Sequence, residues 1–260
     1  MTGLLAAPRA RTRRAVTAAL VVITGLSWAY LVFLSVRMSE MGLPFAMPMT
    51  SAWTGQQLLL MWTMWAVMMA AMMLPSAAPM IRAYSTTIRS GTIRSGTPSL
   101  HGSTALFIVG YLVTWSGFAV LATAAQWALH DAALVSPMGV STSRWLGGAL
   151  LLVAGVYQFT AAKDACLRQC RTPLGFLLNQ WRGGGRGALV MGLRHGAVCV
   201  GCCWALMAVL FVLGVMNLWW IALVAAVVLV EKLGPSQAIT RILGGALVVW
   251  GAALLTGLGS

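Results

Sequence analysis

Apolar residues run in seven nearly unbroken stretches, at roughly 15–36, 54–74, 103–129, 144–162, 188–213, 217–231 and 238–258. Each approaches the ~20 residues a helix needs to cross the hydrocarbon core, except the sixth, which is short. Continuous runs exclude a transmembrane barrel, whose strands read as alternating segments of ~10 residues. Helices satisfy their backbone N–H and C=O groups internally, as lipid demands. The pattern predicts an all-α, polytopic transmembrane helical bundle of about seven spans. A six-span arrangement, with the sixth segment re-entrant, competes with it. The fifth and sixth runs are separated only by Gly214, Val215, Met216 and Asn217, which predicts a tight reversal.

The charges between the runs predict orientation. With the N-terminus cytoplasmic, the inner side receives Arg9, Arg11, Arg13, Arg14, Arg82, Arg89, Arg94, Lys163, Arg168, Arg171, Arg182, Arg186, Lys232 and Arg241. Only Arg37 and Arg144 fall outside, and Arg194 lies within the fifth run near its inner end. Fourteen basic residues against two is a strong positive-inside bias. Trp53, Trp127, Trp145, Trp219 and Trp220 fall near the outer boundary, where interfacial aromatics gather. The first run is too long for the apolar core of a signal peptide, and no small-x-small site follows it, so a retained anchor is expected. The expected organisation is a basic cytoplasmic tail at 1–14, an anchor helix at 15–36, a Met-rich outer loop at 37–53 and a membrane helical domain at 54–258. The inner loop at 88–97 repeats Ile-Arg-Ser-Gly-Thr and reads as a flexible linker.

Composition supports this reading. The 260 residues are 60% hydrophobic and 8% charged, and the acids are only Glu40, Asp131, Asp164 and Glu231. A soluble domain of this length would carry about 65 charged residues, too many to reconcile with this chain. Disorder is excluded by the apolar content. The net charge of +13 follows from topology, and its dispersal over three loops and a tail argues against nucleic-acid binding. Gly183–Gly187 lacks the Lys-Ser/Thr and strand context of a phosphate loop, so ATP hydrolysis in this chain is not expected.

The candidate chemistry is concentrated. All five cysteines lie between 166 and 203: Cys166 and Cys170 in the inner loop after the fourth run, Cys199, Cys202 and Cys203 within the fifth. An odd number, two of them on the reducing side, argues against a secreted disulfide framework. At 100° per residue, His195, Cys199 and Cys202 fall within about 60° of one another on one helix face. Cys203 lies further round, and Met191 extends the stripe toward the cytoplasm. His195 would stand about 10 Å deep at 1.5 Å per residue. A histidine and thiols at that depth are a donor set for soft or borderline ions, with Cu(I) the first candidate and Zn(II) the second. Cys166 and Cys170 share a face if their segment is helical, and are candidate further ligands. Gly192 and Gly196, flanking His195, would admit a closely packed helix. The competing reading is that cysteine packs as a small apolar residue.

In the second run, Met64, Met68 and Met72 repeat every four residues, with Met61 on the same face and Met69 and Met73 beside them. Thioethers bind Cu(I), so this ladder is a candidate path; methionine as a flexible packing residue is the plainer alternative. Met38, Met41, Met47 and Met49 crowd a 12-residue outer stretch that suits Cu(I) capture or the interface. Arg194 is expected to snorkel to the inner surface, and Glu231-Lys232 to pair with Arg194 or Arg241. His130-Asp131 is a weak outer metal site or a solvated turn.

These residues resemble a known family. Tyr157-Gln158-Phe159-Thr160, Lys163, Cys166, Cys170-Arg171, Pro173, Trp181-Arg182, Gly192-Leu193-Arg194-His195-Gly196, Cys199, Gly201-Cys202-Cys203-Trp204, Met207, Gly214–Asn217 and Glu231-Lys232 carry the likeness, with Met61-Trp62, Met64 and Ala71–Pro75 earlier. The stretch, about 54–233, is similar to a bacterial family described as metal-binding integral membrane proteins. The resemblance implies metal binding by these Cys and His residues, and placement in the bacterial cytoplasmic (inner) membrane.

Two classes of function remain. One is binding or transport of Cu(I), or of Zn(II), at His195, Cys199, Cys202 and Cys203, with Cys166 and Cys170 as an exchange site and methionines as an outer path. Its partners would be the lipid bilayer, the metal ion and a soluble metal donor or acceptor protein; oligomerisation is compatible with such a bundle. The other is a membrane oxidoreductase, either thiol–disulfide through Cys199 and Cys202 or copper-dependent.

Overall fold

The computed structural model describes residues 6–41, 53–89, 100–136, 139–234 and 237–257. Ten helices account for almost all of them: α1 (Ala6–Met41), α2 (Gly55–Arg89), α3 (Leu100–Asp131), α4 (Arg144–Tyr157), α5 (Ala161–Arg171), α6 (Pro173–Gln180), α7 (Gly184–Ala208), α8 (Leu210–Leu213), α9 (Leu218–Leu233) and α10 (Ala238–Thr256). Most of the Met-rich outer loop (residues 42–52) and the repeat-bearing linker beyond residue 89 lie outside the described residues.

Every apolar run becomes helical, but the span count differs from the expected seven. Five helical stretches among the described residues are long and apolar enough to cross a membrane: Arg13–Arg37, Gly55–Thr87, Gly102–Asp131, Gly184–Leu213 and Ala238–Thr256. A sixth arises if α4 and α5 count as one span bent by 63°. The expected single span at 144–162 is interrupted because Gln158, Phe159 and Thr160 donate to carbonyls three residues back, at 3.1, 3.0 and 3.1 Å. Such tightening ends an α-helix. Thr160 then caps α5, its hydroxyl accepting from Lys163 N at 3.3 Å. The expected sixth span is α9, at 16 residues too short to pass as a span. It is fixed at its start by Asn217, whose Oδ1 accepts from Trp219 N at 3.1 Å. Gly214 makes the preceding reversal with φ +98°, a conformation open to glycine at little cost.

Helix crossings are set by small residues. Gly192 and Gly196 on α7 face α3: a Cβ at Gly192 would run into the Phe107 carbonyl, and one at Gly196 would lie 2.7 Å from the Thr114 side chain. Gly110 on α3 meets the Leu189 carbonyl in the same way. The expected close packing beside His195 is therefore present, with α3 as its partner. Thr114 Oγ1 donates to Leu193 O across it at 3.1 Å. A second crossing joins α4 and α10 through Gly148, Gly155, Gly244 and Gly251. Helix α2 packs between α1 and α3, and Trp65 Nε1 donates to the buried Gln126 Oε1 at 2.7 Å. Val21, Leu121, Ile242 and Val249 are exposed on the outside of the helices, where lipid would meet them.

Candidate metal centre

Helix α7 carries His195, Cys199, Cys202 and Cys203, all buried, and five other helices supply their surroundings. Cys202 and Cys203 turn back on their own helix, donating to the Cys199 carbonyl at 3.1 and 3.0 Å. Cys199 faces outward from α7. Its Sγ lies 3.0 Å from Tyr111 Oη of α3 and 2.8 Å from Lys232 Nζ of α9. Lys232 also donates to Ser76 Oγ at 3.1 Å and stands 3.9 Å from Met73 Sδ, both on α2. Cys203 Sγ is likewise 3.9 Å from Met73 Sδ.

Helix α5 closes one side. The cysteines expected in an inner loop sit on this helix instead, four residues apart and therefore nearly in line. Cys170 Sγ reaches to 3.9 Å from Cys202 Sγ. Cys166 packs on Gly201, where a Cβ would stand 2.9 Å from its sulfur. Tyr157 Oη donates to the Gly201 carbonyl at 2.5 Å. Two cations tie α5 to α9: Lys163 Nζ pairs with Glu231 Oε2 at 2.8 Å with both side chains buried, and Arg171 Nε donates to the Glu231 backbone carbonyl at 2.8 Å.

This corrects the expected pairing of Glu231 with Arg194 or Arg241. Lys163 lies on the inward face of α5, while Arg194 points to the exposed side of α7 and donates to Gln180 Oε1 of α6. Arg241 donates to Gln237 Oε1 one turn back at 3.4 Å. A carboxylate at that depth takes the cation that shares its burial.

His195 occupies an aromatic cage. Its ring stacks on Phe107 and Tyr111, with centroids 6.0 and 5.7 Å apart, and Phe176 meets it edge-on at 5.4 Å. Nδ1 is buried and has no hydrogen-bond partner. Tyr111 touches both the imidazole ring and the Cys199 thiol. Met191 Sδ accepts from Arg182 N at 3.3 Å. Met64, Met68 and Met72 are fully buried within α2 as part of the hydrophobic core. The thioether beside the thiols is that of Met73, on a different face of the helix. His130 packs against Trp53 with centroids 5.7 Å apart.

Among the described residues, no three His, Cys, Asp or Glu side chains converge on a common point. The reason is local: two thiols are engaged with a backbone carbonyl and the third with Lys232. The donor types nevertheless suit a soft ion: a sulfur of α5 and a sulfur of α2 each lie 3.9 Å from a thiol of α7, Cys170 from Cys202 and Met73 from Cys203. An ion on Cys202 and Cys203 would replace two weak S–H···O contacts. Sequence reasoning missed Lys232, Tyr111 and Met73 as neighbours of the thiols, and Lys163 as the partner of Glu231. A lysine following a glutamate at the end of an apolar run was the one available signal.

Comparison with curated proteins and with solved structures yields no match. The profile of one family does match, over residues 62–254, and covers α3 to α9, all but the first turns of α2 and nearly all of α10. The chain belongs to this family, PpoB2, described as copper chaperones.

Proposed function

We propose that the protein is an integral membrane copper chaperone that holds Cu(I) on sulfur inside the bilayer and passes it to a partner. The supporting observation is the approach of Cys170 Sγ on α5 to Cys202 Sγ on α7, at 3.9 Å. Two helices distant in sequence bring thiols together in a buried setting, where soft-ion chemistry is favoured over hard-ion chemistry. Cys199, Cys202 and Cys203 would hold the ion, with Cys170 as first exchange ligand and Cys166 next along α5. His195, whose Nδ1 lacks a partner, is the nitrogen donor of the set.

Charge favours a monovalent ion. Cu(I) on two thiolates of this set, the other thiols staying protonated, leaves one net negative charge, which the Lys232 ammonium would cancel. A neutral assembly is the arrangement a low-dielectric interior tolerates. The N-terminus is cytoplasmic in this reading, in the bacterial inner membrane. The anchor expected at 15–36, carried by α1, and the Met-rich outer stretch at 37–53, helical as far as Met41, precede a metal-binding domain at 54–258. Met64, Met68 and Met72 would serve as an outer path for the ion, and a soluble protein would donate or accept it.

The test is elemental analysis of detergent-purified full-length protein from cells given both copper and zinc. The wild type should carry copper, and the Cys199→Ser/Cys202→Ser variant should lose it. Metal content unchanged in the variant would sink the reading. The 3.9 Å Cys170–Cys202 separation also favours a second reading, thiol–disulfide exchange. Metal-free protein with a Cys170–Cys202 disulfide that turns over with an electron acceptor would favour it.

A further inference from the structure

Met73 is fully buried one residue beyond the Met64, Met68, Met72 ladder, and one residue rotates the side chain by ~100° to a different helix face. That rotation points it at α7 and α9: its Sδ is 3.9 Å from Cys203 Sγ and 3.9 Å from Lys232 Nζ. Its backbone is pinned. The Met73 carbonyl accepts from Tyr111 Oη at 3.1 Å and Ser76 Oγ at 2.9 Å. Pro75 and Pro79 follow within the same helix, and each removes an N–H from its ladder. The same two partners, Tyr111 and Ser76, also contact Cys199 and Lys232 respectively. Met73 is thus built into the cluster by its main chain, while its three-torsion side chain stays adjustable.

We propose that Met73 is a thioether ligand that completes the cysteine cluster and makes it selective for Cu(I) over Zn(II). The inference rests on the copper-binding reading above and specifies its ligand set. Thiolates bind both ions. Zinc sites draw on Cys, His, Asp and Glu and want four such donors, whereas thioether sulfur is a donor for Cu(I). A thioether also adds a third donor without adding charge. With Lys232 beside it, two thiolates and one thioether leave a Cu(I) assembly neutral. Zn(II) on the same donors would leave a buried positive charge.

The experiment compares wild type, Met73→Leu and, as a buried methionine of the same helix outside the proposed path, Met80→Leu, all as full-length protein in detergent. Cu(I) affinity is read by competition with a chromophoric Cu(I) chelator and Zn(II) affinity with a zinc indicator. Met73→Leu should weaken Cu(I) by about 10-fold or more, a scale on which even outer-shell partners act, and leave Zn(II) unchanged. Met80→Leu should change neither. A second measurement does not depend on how the variant folds: copper-edge X-ray absorption of selenomethionyl wild type should show a selenium neighbour. No selenium neighbour, with Cu(I) still bound, overturns the role of Met73 and leaves the copper reading standing. Wild type that binds no Cu(I) overturns both.

Discussion

Lys232 places its ammonium 2.8 Å from the Cys199 thiol, with Ser76 and Met73 around it and the lysine almost wholly buried. A buried ammonium is costly unless a negative group meets it, so this contact joins α9 to the candidate metal centre energetically as well as spatially. Lys232→Met keeps the chain length and removes the charge. Copper retained by purified protein should fall by about 10-fold or more, on the scale of lost support for a metal ligand. The thermal midpoint of the metal-free variant should hold or rise, because an apolar side chain beside a neutral thiol carries no desolvation cost. Unaltered copper content would remove Lys232 from the site.

The Lys163–Glu231 pair is the second buried charge contact, and it anchors α5 against α9. Removing one partner strands the other, at a cost of about 3–5 kcal/mol. Glu231→Gln and Lys163→Met should each destabilise strongly, and the double variant Lys163→Met/Glu231→Gln should recover much of the loss. A double-mutant cycle on unfolding in mixed micelles measures the coupling. Additive single effects would show that the two side chains are energetically independent.

Helix approach at α3–α7 gives a sharper contrast. Gly192→Ala drives a methyl group into the Phe107 main chain, which has no rotamer with which to yield. It should cost about 1–3 kcal/mol, the range for overpacking. Gly245 on α10 meets nothing within 4 Å, and Gly245→Ala should stabilise by about 0.5–1 kcal/mol through helix propensity. Melting temperatures of the two variants in one detergent decide the matter; equal shifts would count against the crossing.

Much of the fold was legible because long apolar runs have few ways to satisfy their backbone: they became helices, and glycines four apart beside His195 became a crossing. The break at Gln158–Thr160 was overlooked: Gln158 and Thr160 interrupt the apolar run, and Thr160 with Asp164 in the next turn is a helix-start signal, but the tightened turns themselves leave no mark in the sequence. Within the site, the stripe of His195, Cys199 and Cys202 follows from one helix's own period. Lys232, Met73 and Tyr111 come from three other helices, and a helical period carries no information about which neighbour faces it. Glu231 shows the same limit: its partner was sought among nearby arginines in sequence, while burial selected Lys163, 68 positions away.

The two cysteines of α5 should differ in reactivity, although they lie one turn apart. Cys170 Sγ is 3.9 Å from Cys202 Sγ, and a disulfide requires about 2.05 Å, so the two sulfurs have less than 2 Å to close. Cys166 instead rests on Gly201, whose lack of a side chain leaves it a place to pack rather than a thiol to pair with. Treatment of metal-free protein with diamide should link Cys170 to Cys202, seen as a peptide pair by mass spectrometry, and leave Cys166 alkylatable. Cu(I) added beforehand should suppress the link, because the ion and the disulfide compete for the same sulfurs. Loosening α5 by Glu231→Gln should lower the yield as well, since one of its two ties to α9 is then gone and only the Arg171 bond to the backbone carbonyl of residue 231 remains. A link formed equally well with Cu(I) bound would place the ion elsewhere, on Cys199 and Cys203, with α5 no part of its coordination.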